Sequence, residues 1–157
     1  MTRQEVIDKL KTSFKTLGTV ESLTGGLVSS TFTSYSGVSK FFKGSIVSYS
    51  SLVKRDVLGI SQETIDKYGV VSKEVAHDMA EKGSKILDVD LCLSFTGNAG
   101  PDVMENKKVG EVYVGFTHDN KTDVYPLMLK GERNEIRESL VSFSFELLEK
   151  YFGDISK

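Results

Sequence analysis

Segments with a helical repeat and segments of strand character alternate along the chain, until two strand-like runs meet around the three residues Asp119–Lys121. This order restricts the fold more than any other feature. Strands separated by helices are joined by crossovers and run parallel, whereas a tight turn makes the last two antiparallel. The expected class is therefore α/β: a three-layer α/β/α sandwich with a mixed, mostly parallel sheet and one antiparallel hairpin, covered by helices on both faces. A chain of 157 residues holds one compact domain, taken as residues 1–157.

Val6, Leu10, Phe14 and Leu17 recur at helical spacing behind Thr2, a capping residue, and predict an amphipathic helix over residues 2–16. GTVES then reads as a short strand, and residues 25–35 as a helix with Leu27, Val28 and Phe32 on its apolar face, broken by YSGVSK. Residues 44–50, GSIVSYS, form the next strand, and SLVKRDVLG a brief helix ending at Gly59. From Ser72 to about Leu87, Val75, Met79 and Ile86 with Ala76 and Ala80 make a stronger helical stripe, and DVDLCLSF follows as a buried strand. Ile136, Leu140, Phe143, Leu147 and Tyr151 trace a long last helix.

Composition excludes several classes of function. Hydrophobic residues make up 39% and charged residues 27% of the chain, which indicates neither disorder nor a membrane protein. The balance of 20 basic against 22 acidic residues gives −2, so direct nucleic-acid binding and attachment to an anionic membrane are not expected, and an anionic ligand must be held by local donors. Cys92 is the lone cysteine and sits in an apolar run, which predicts a buried, inert thiol and no internal disulfide. No apolar run approaches the roughly 18 residues of a membrane span, and no secretory segment opens the chain, so a cytoplasmic location is expected. His77 and His118 stand far apart with no cysteines near them, and His77 shares a polar helix face with Lys73 and Glu81; no metal and no cofactor are expected.

In sheets of this kind ligands gather at loops that follow the carboxyl ends of strands, and three conspicuous loops occupy those places: ESLTGG (21–26), YSSLVK (49–54) and TGNAGP (96–101). In the first, Ser22 and Thr24 are alternative nucleophiles at a strand-to-helix turn, and the amides of Gly25 and Gly26 are suited to an oxyanion or a phosphate; a cap followed by a turn is the other reading. Glu21 either orients the site or is simply an acidic residue at a helix N-terminus. A serine needs a base. Lys54, if desolvated, can serve as one and Tyr49 can relay a proton, although their spacing equally suits a solvated helix residue and an ordinary strand residue. Arg133 and Arg137 stand four apart where both can grip one anion, or form surface pairs with Glu135 and Glu138. Residues 96–101 are either a backbone concavity for a polar ligand or a plain turn.

Taken in order, ESLTGG, GVSKFFKGSIVSYSSLVK, GVVSKEVA, TGNAGP, VGEVYVGF and GERNEIR resemble the C-terminal domain of the competence-damage-inducible CinA family, over roughly residues 3 to 150. At this length the molybdopterin-binding-like domain that precedes it in longer members is not expected. That family includes stand-alone nicotinamide mononucleotide amidases, so the resemblance implies hydrolysis of the carboxamide of that nucleotide to nicotinate mononucleotide and ammonia. It places the nucleophile at Ser22 and the catalytic tyrosine and lysine at Tyr49 and Lys54. The glycine loop falls on Thr24, Gly25 and Gly26, the second loop on Thr96, Gly97, Ala99, Gly100 and Pro101, and the basic positions on Arg133 and Arg137, with Glu21 beside the nucleophile. It also implies a homo-oligomer. The chain departs from the family pattern at Leu23, at the SSLV of its second motif and in DVMENKK after Pro101, where further glycines are usual. A catalytically silent nucleotide- or partner-binding domain linked to competence or the DNA-damage response is the alternative reading.

Overall fold

The structure, a computed structural model, describes residues 1–155. Among them β1 (Leu17–Glu21), β2 (Phe42–Val47), β3 (Leu91–Gly97), β4 (Glu111–His118) and β5 (Lys121–Met128) form one sheet in the order β2-β1-β3-β4-β5. The helices are α1 (Arg3–Thr12), α2 (Leu27–Thr33), α3 (Ser51–Asp56), α4 (Gln62–Tyr68), α5 (Lys73–Leu87) and α6 (Arg133–Ile155), with a 3₁₀ turn at Val38–Lys40. β1 pairs in parallel with β2 and β3, and β4 runs antiparallel to both β3 and β5. The expected α/β sandwich with a mixed sheet is observed. Antiparallel pairing reaches one strand beyond the hairpin because β4 returns from a loop, residues 98–110, rather than from a crossover helix.

Two apolar layers cover the sheet. On one face Leu91, Leu93 and Phe95 of β3 and Val112, Val114 and Phe116 of β4 pack against α1, α2 and α6. On the other, Val20 and Cys92 meet Ile65 of α4 and Val75 and Met79 of α5. The alternation along β3 is that of a strand buried on both sides. Its second face carries small polar residues because α5 lies close: Ser94 Oγ donates to Ala76 O at 2.6 Å and accepts from Gly115 N at 3.1 Å. A Cβ at Gly115 would overlap that carbonyl, and one at Gly83 would overlap the Val20 side chain.

Four local expectations are corrected. α1 ends at Thr12, and Phe14 leaves the apolar stripe at φ 61° with 96% of its surface exposed, because the chain must turn back to enter β1 at Leu17. Ile7, not expected on the apolar face, is fully buried beside Val6 and Leu10. α4 has no counterpart in the sequence reading; it is only 7 residues long and Ile65 is its single buried residue, too little for a visible repeat. Ile86 is half-exposed rather than part of the α5 stripe, and β2 stops at Val47, which leaves Tyr49 in the loop beyond the strand. Among the described residues no helix is long and apolar enough to cross a membrane.

Candidate active site

The carboxyl ends of the parallel strands β1, β2 and β3 open on one end of the sheet, and α6 begins beside them. At the end of β1 the chain leaves Glu21 fully buried. Its carboxylate accepts from the amides of Gly26 (3.1 Å), Val28 (3.0 Å) and Ser29 (2.9 Å), and from the hydroxyls of Thr19 (2.9 Å) and Ser45 (3.2 Å). Gly26, the residue before α2, has no side chain to cap the helix, so Glu21 satisfies the free amides and faces the positive end of the dipole. Its role is to hold the turn. The amide of Gly26 is thereby occupied, and that of Gly25 donates to Ser22 O at 3.0 Å, so neither is the free anion donor expected of the glycine pair.

Ser22 extends β1, donating its amide to Phe95 O at 3.0 Å, and is 7% exposed. Thr24, the alternative nucleophile, is fully buried with Oγ1 lacking a hydrogen-bond partner among the described residues. Arg137 explains why the turn keeps its shape: Nε donates to Leu23 O at 3.2 Å and Nη2 to Thr24 O at 2.9 Å, while Nη1 reaches Asn134 Oδ1 at 2.9 Å.

From the other side α3 supplies Lys54. Ser50 caps that helix through Val53 N at 3.2 Å, which turns Lys54 inward until only 1% of it is exposed. Its Nζ donates to Ser22 Oγ at 3.0 Å, to Ser48 O at 2.6 Å and to Tyr49 O at 3.4 Å. Burial pushes the amine from its ordinary 10.5 down to about 8, while the Glu105 carboxylate pulls weakly the other way. Three protons of an ammonium match three acceptors. On losing one, the amine can keep both carbonyls and turn its lone pair to the serine.

Ser22 opens on a cleft of about 280 Å³, small for a ligand site. Leu23, Tyr49 and Arg133 line one part of it, Gly97, Asn98 and Ala99 another, and Asp102 and Met104 complete it. Tyr49 is 62% exposed, and its hydroxyl accepts from Arg133 Nη2 at 3.1 Å. Arg133 Nη1 also donates to Gly100 O at 2.9 Å, which ties α6 to the loop after β3. Asn98 shapes that loop: Nδ2 donates to Met104 O at 3.3 Å, Oδ1 accepts from Met104 N at 3.2 Å, and its backbone pairs with Glu111 O and Gly110 N. A Cβ at Gly97 would stand 2.6 Å from Glu111 O and 2.7 Å from Val112 Cα, so only glycine admits this strand approach.

The structure thus brings together Ser22, Lys54, Tyr49, Gly97, Ala99 and Arg133 of the residues expected from sequence. It sets others behind the cleft. Glu21 and Arg137 brace the turn, Gly25 and Gly26 form it, and Thr96, 1% exposed, donates its hydroxyl to Val70 O at 2.6 Å. Arg133 and Arg137 are thus held apart in this structure, one on the cleft and one behind the turn. Gly100 contributes its carbonyl to Arg133, and Pro101 follows it at the surface. Asn98, Asp102 and Met104 were missed as cleft residues; Asn98 lies inside the TGNAGP motif, where a turn-forming amide was the available signal. Among the described residues no cluster of three or more His, Cys, Asp or Glu is arranged to hold a metal ion.

Known proteins resemble the chain over most of its length. A competence-damage inducible protein of Bacillus cytotoxicus is 43% identical over 147 residues, 93% of this chain and 36% of that protein. One of Acetivibrio thermocellus is 45% identical over 137 residues, 87% of this chain and 33% of its own length. The chain spans about a third of the length of these relatives. The crystal structure of a competence-damaged protein (CinA) superfamily member from Enterobacter cloacae superposes with a TM-score of 0.89 at 28% identity, covering 96% of this chain and 92% of that one. The model of the CinA C-terminal domain matches residues 1–152, and the chain belongs to that family.

Proposed function

We propose that the chain is a serine amidohydrolase that converts the carboxamide of nicotinamide mononucleotide to the carboxylate with release of ammonia. The observation that carries this reading is the buried Lys54 amine 3.0 Å from the Ser22 hydroxyl, with its pKa brought down to about 8. Neutral Lys54 takes the Ser22 proton as Oγ attacks the carboxamide carbon. The resulting oxyanion is met by the amides of Leu23 and Thr24, which donate to no other group among the described residues. Lys54 returns the proton to the departing nitrogen, ammonia leaves, and a water activated by the same amine cleaves the acyl ester on Ser22. Tyr49 accepts from Arg133, so its own proton remains free to be donated into the cleft.

The charges of the cleft suit this substrate class. Arg133 offers donors to a phosphate, and the Asp102 carboxylate offers an acceptor to a pyridinium ring or a ribose hydroxyl. The pyridinium charge withdraws electrons from the carboxamide, which makes it more susceptible to attack. Ammonia release from the mononucleotide by purified wild type, with Ser22→Ala and Lys54→Ala at background, is the expected result; full turnover by either variant refutes the assignment. Nucleotide-induced thermal stabilisation with no ammonia release would instead assign the chain to a binding role, in keeping with the competence-damage names of its relatives.

A further inference from the structure

Residues 102–108, where the chain departs from the glycine-rich pattern of its family, are held by a contact that the reaction scheme does not use. Glu105, at φ 59°, reaches across to the turn between α4 and α5, where its two carboxylate oxygens accept from Val70 N at 3.0 Å and Val71 N at 2.9 Å. The turn is built to receive it. Gly69 ends α4 at φ 79°, and a Cβ there would overlap the Glu105 carboxylate. Ser72 Oγ donates to Gly69 O at 2.7 Å, and Thr96 Oγ1 donates to Val70 O, so the segment is fixed from three directions. Between Glu105 and the cleft lies a short path: Met104, the residue before it, lines the cleft and is bonded through both its amide and its carbonyl to Asn98.

We propose that Glu105 is a positioning residue for the Ser22–Lys54 pair: its carboxylate latches the cleft-lining loop, joined through Met104 to Asn98, onto the Gly69–Val71 turn. This inference rests on the reading of Ser22 and Lys54 as the reacting pair. The surrounding charges leave Glu105 as the group that acts on Lys54 from outside α3. Glu21 is turned to the amides of α2, Arg55 pairs with Asp56 at 2.8 Å on the exposed side of α3, the Tyr49 hydroxyl is bonded to Arg133, and Asp102 lines the cleft. The carboxylate favours the ammonium form and so opposes burial, which favours the neutral one. The latch therefore restrains the base as well as the loop.

Two measurements that need no turnover test this. In the wild type, hydrogen exchange at the Val70 and Val71 amides is expected to be slowed at least about tenfold relative to Glu105→Ala. Lys54 titration followed by NMR is expected to shift to lower pH in Glu105→Gln. It should stay at the wild-type midpoint in Glu105→Asp, which keeps the charge and shortens the reach. In the ammonia assay the acid limb of Glu105→Gln should move down in pH while Glu105→Asp changes KM more than kcat. Unprotected Val70 and Val71 amides in the wild type, or a Lys54 titration identical in the wild type and a folded Glu105→Gln, overturn the proposal. Exchange in the wild type decides the latch even if a variant does not fold. Failure of the amidase reading shows separately, as wild type that releases no ammonia.

Discussion

Glu21 and Lys54 are both buried charges at the carboxyl end of the parallel strands, but they are buried on different terms. Glu21 receives five hydrogen bonds, three of them from amides that α2 would otherwise leave free. Lys54 donates to two carbonyls and to one hydroxyl, and desolvation brings its pKa down to about 8. A charge answered by fixed backbone donors at a helix terminus stabilises the turn it sits in. A charge answered by a reactive hydroxyl is held in a state from which it readily departs. The first region builds the turn; the second, in the proposed reaction, carries the chemistry at a cost in stability.

Lys54→Met should separate these roles most sharply. Loss of the base is expected to lower kcat for ammonia release by about 10³-fold, roughly 4 kcal/mol of transition-state stabilisation. The same variant should be more stable at pH 7. A fall from 10.5 in the unfolded chain to about 8 in the folded one disfavours the folded ammonium by about 3 kcal/mol. That penalty is complete below pH 8 and disappears as pH rises toward 10.5, because over that interval the unfolded chain binds more protons. Met removes it but leaves the Ser48 carbonyl without its donor, so a net gain of about 1–2 kcal/mol in urea unfolding at pH 7 is expected, shrinking by pH 10. A variant less stable than wild type at both pH values would show that Lys54 is structural and erase its contrast with Glu21.

Glu21→Gln should give the opposite result. The amide loses the charge and turns two donors toward groups that are themselves donors, at a cost of about 3 kcal/mol and a fall in Tm of about 6–12 °C. Activity per folded molecule should fall far less than in Lys54→Met. An unchanged Tm would mean that the carboxylate is not what caps α2.

This contrast was only partly legible in the sequence. Alternating periodicities disclose the layered fold because strands and helices bury faces at different repeats, and the order of motifs leads to Ser22, Tyr49 and Lys54. The difference between Glu21 and Lys54 is invisible there: both stand in short polar motifs, and only the tertiary path shows which one meets helix amides and which one meets a hydroxyl. Phe14 misleads because spacing cannot reveal where a helix must stop to feed a strand, and Glu105 escapes because its partners lie 35 and 34 residues away with no local pattern linking them. α4, with one buried residue, offers periodicity nothing to detect.

A third measurement tests the state of the amine directly. With a pKa of about 8, roughly one Lys54 in ten is neutral at pH 7 and nine in ten at pH 9, so kcat/KM for the amide should rise about tenfold over that interval. The rise should be absent from the residual activity of Lys54→Met. A profile already flat above pH 6 would place the base elsewhere or show a far deeper depression of this amine.

The smallest effect is expected from the two arginines of α6, which extend the same contrast to a pair of like charges. Arg137 donates to the carbonyls of Leu23 and Thr24 and belongs with Glu21 as a brace, whereas Arg133, exposed and bonded to the Tyr49 hydroxyl, lines the cleft onto which Ser22 opens. Lysine keeps the charge but lacks the planar fork that reaches two carbonyls at once. Arg137→Lys should therefore lower stability by about 1 kcal/mol and change kcat and KM little beyond that. Arg133→Lys should leave Tm within a degree or two and raise KM for the phosphorylated substrate several-fold, with a smaller change for its dephosphorylated nucleoside. If Arg137→Lys raised KM as much as Arg133→Lys at unchanged Tm, the two guanidiniums would be acting on one anion after all, and the turn would have to open on binding to release Arg137 from its carbonyls.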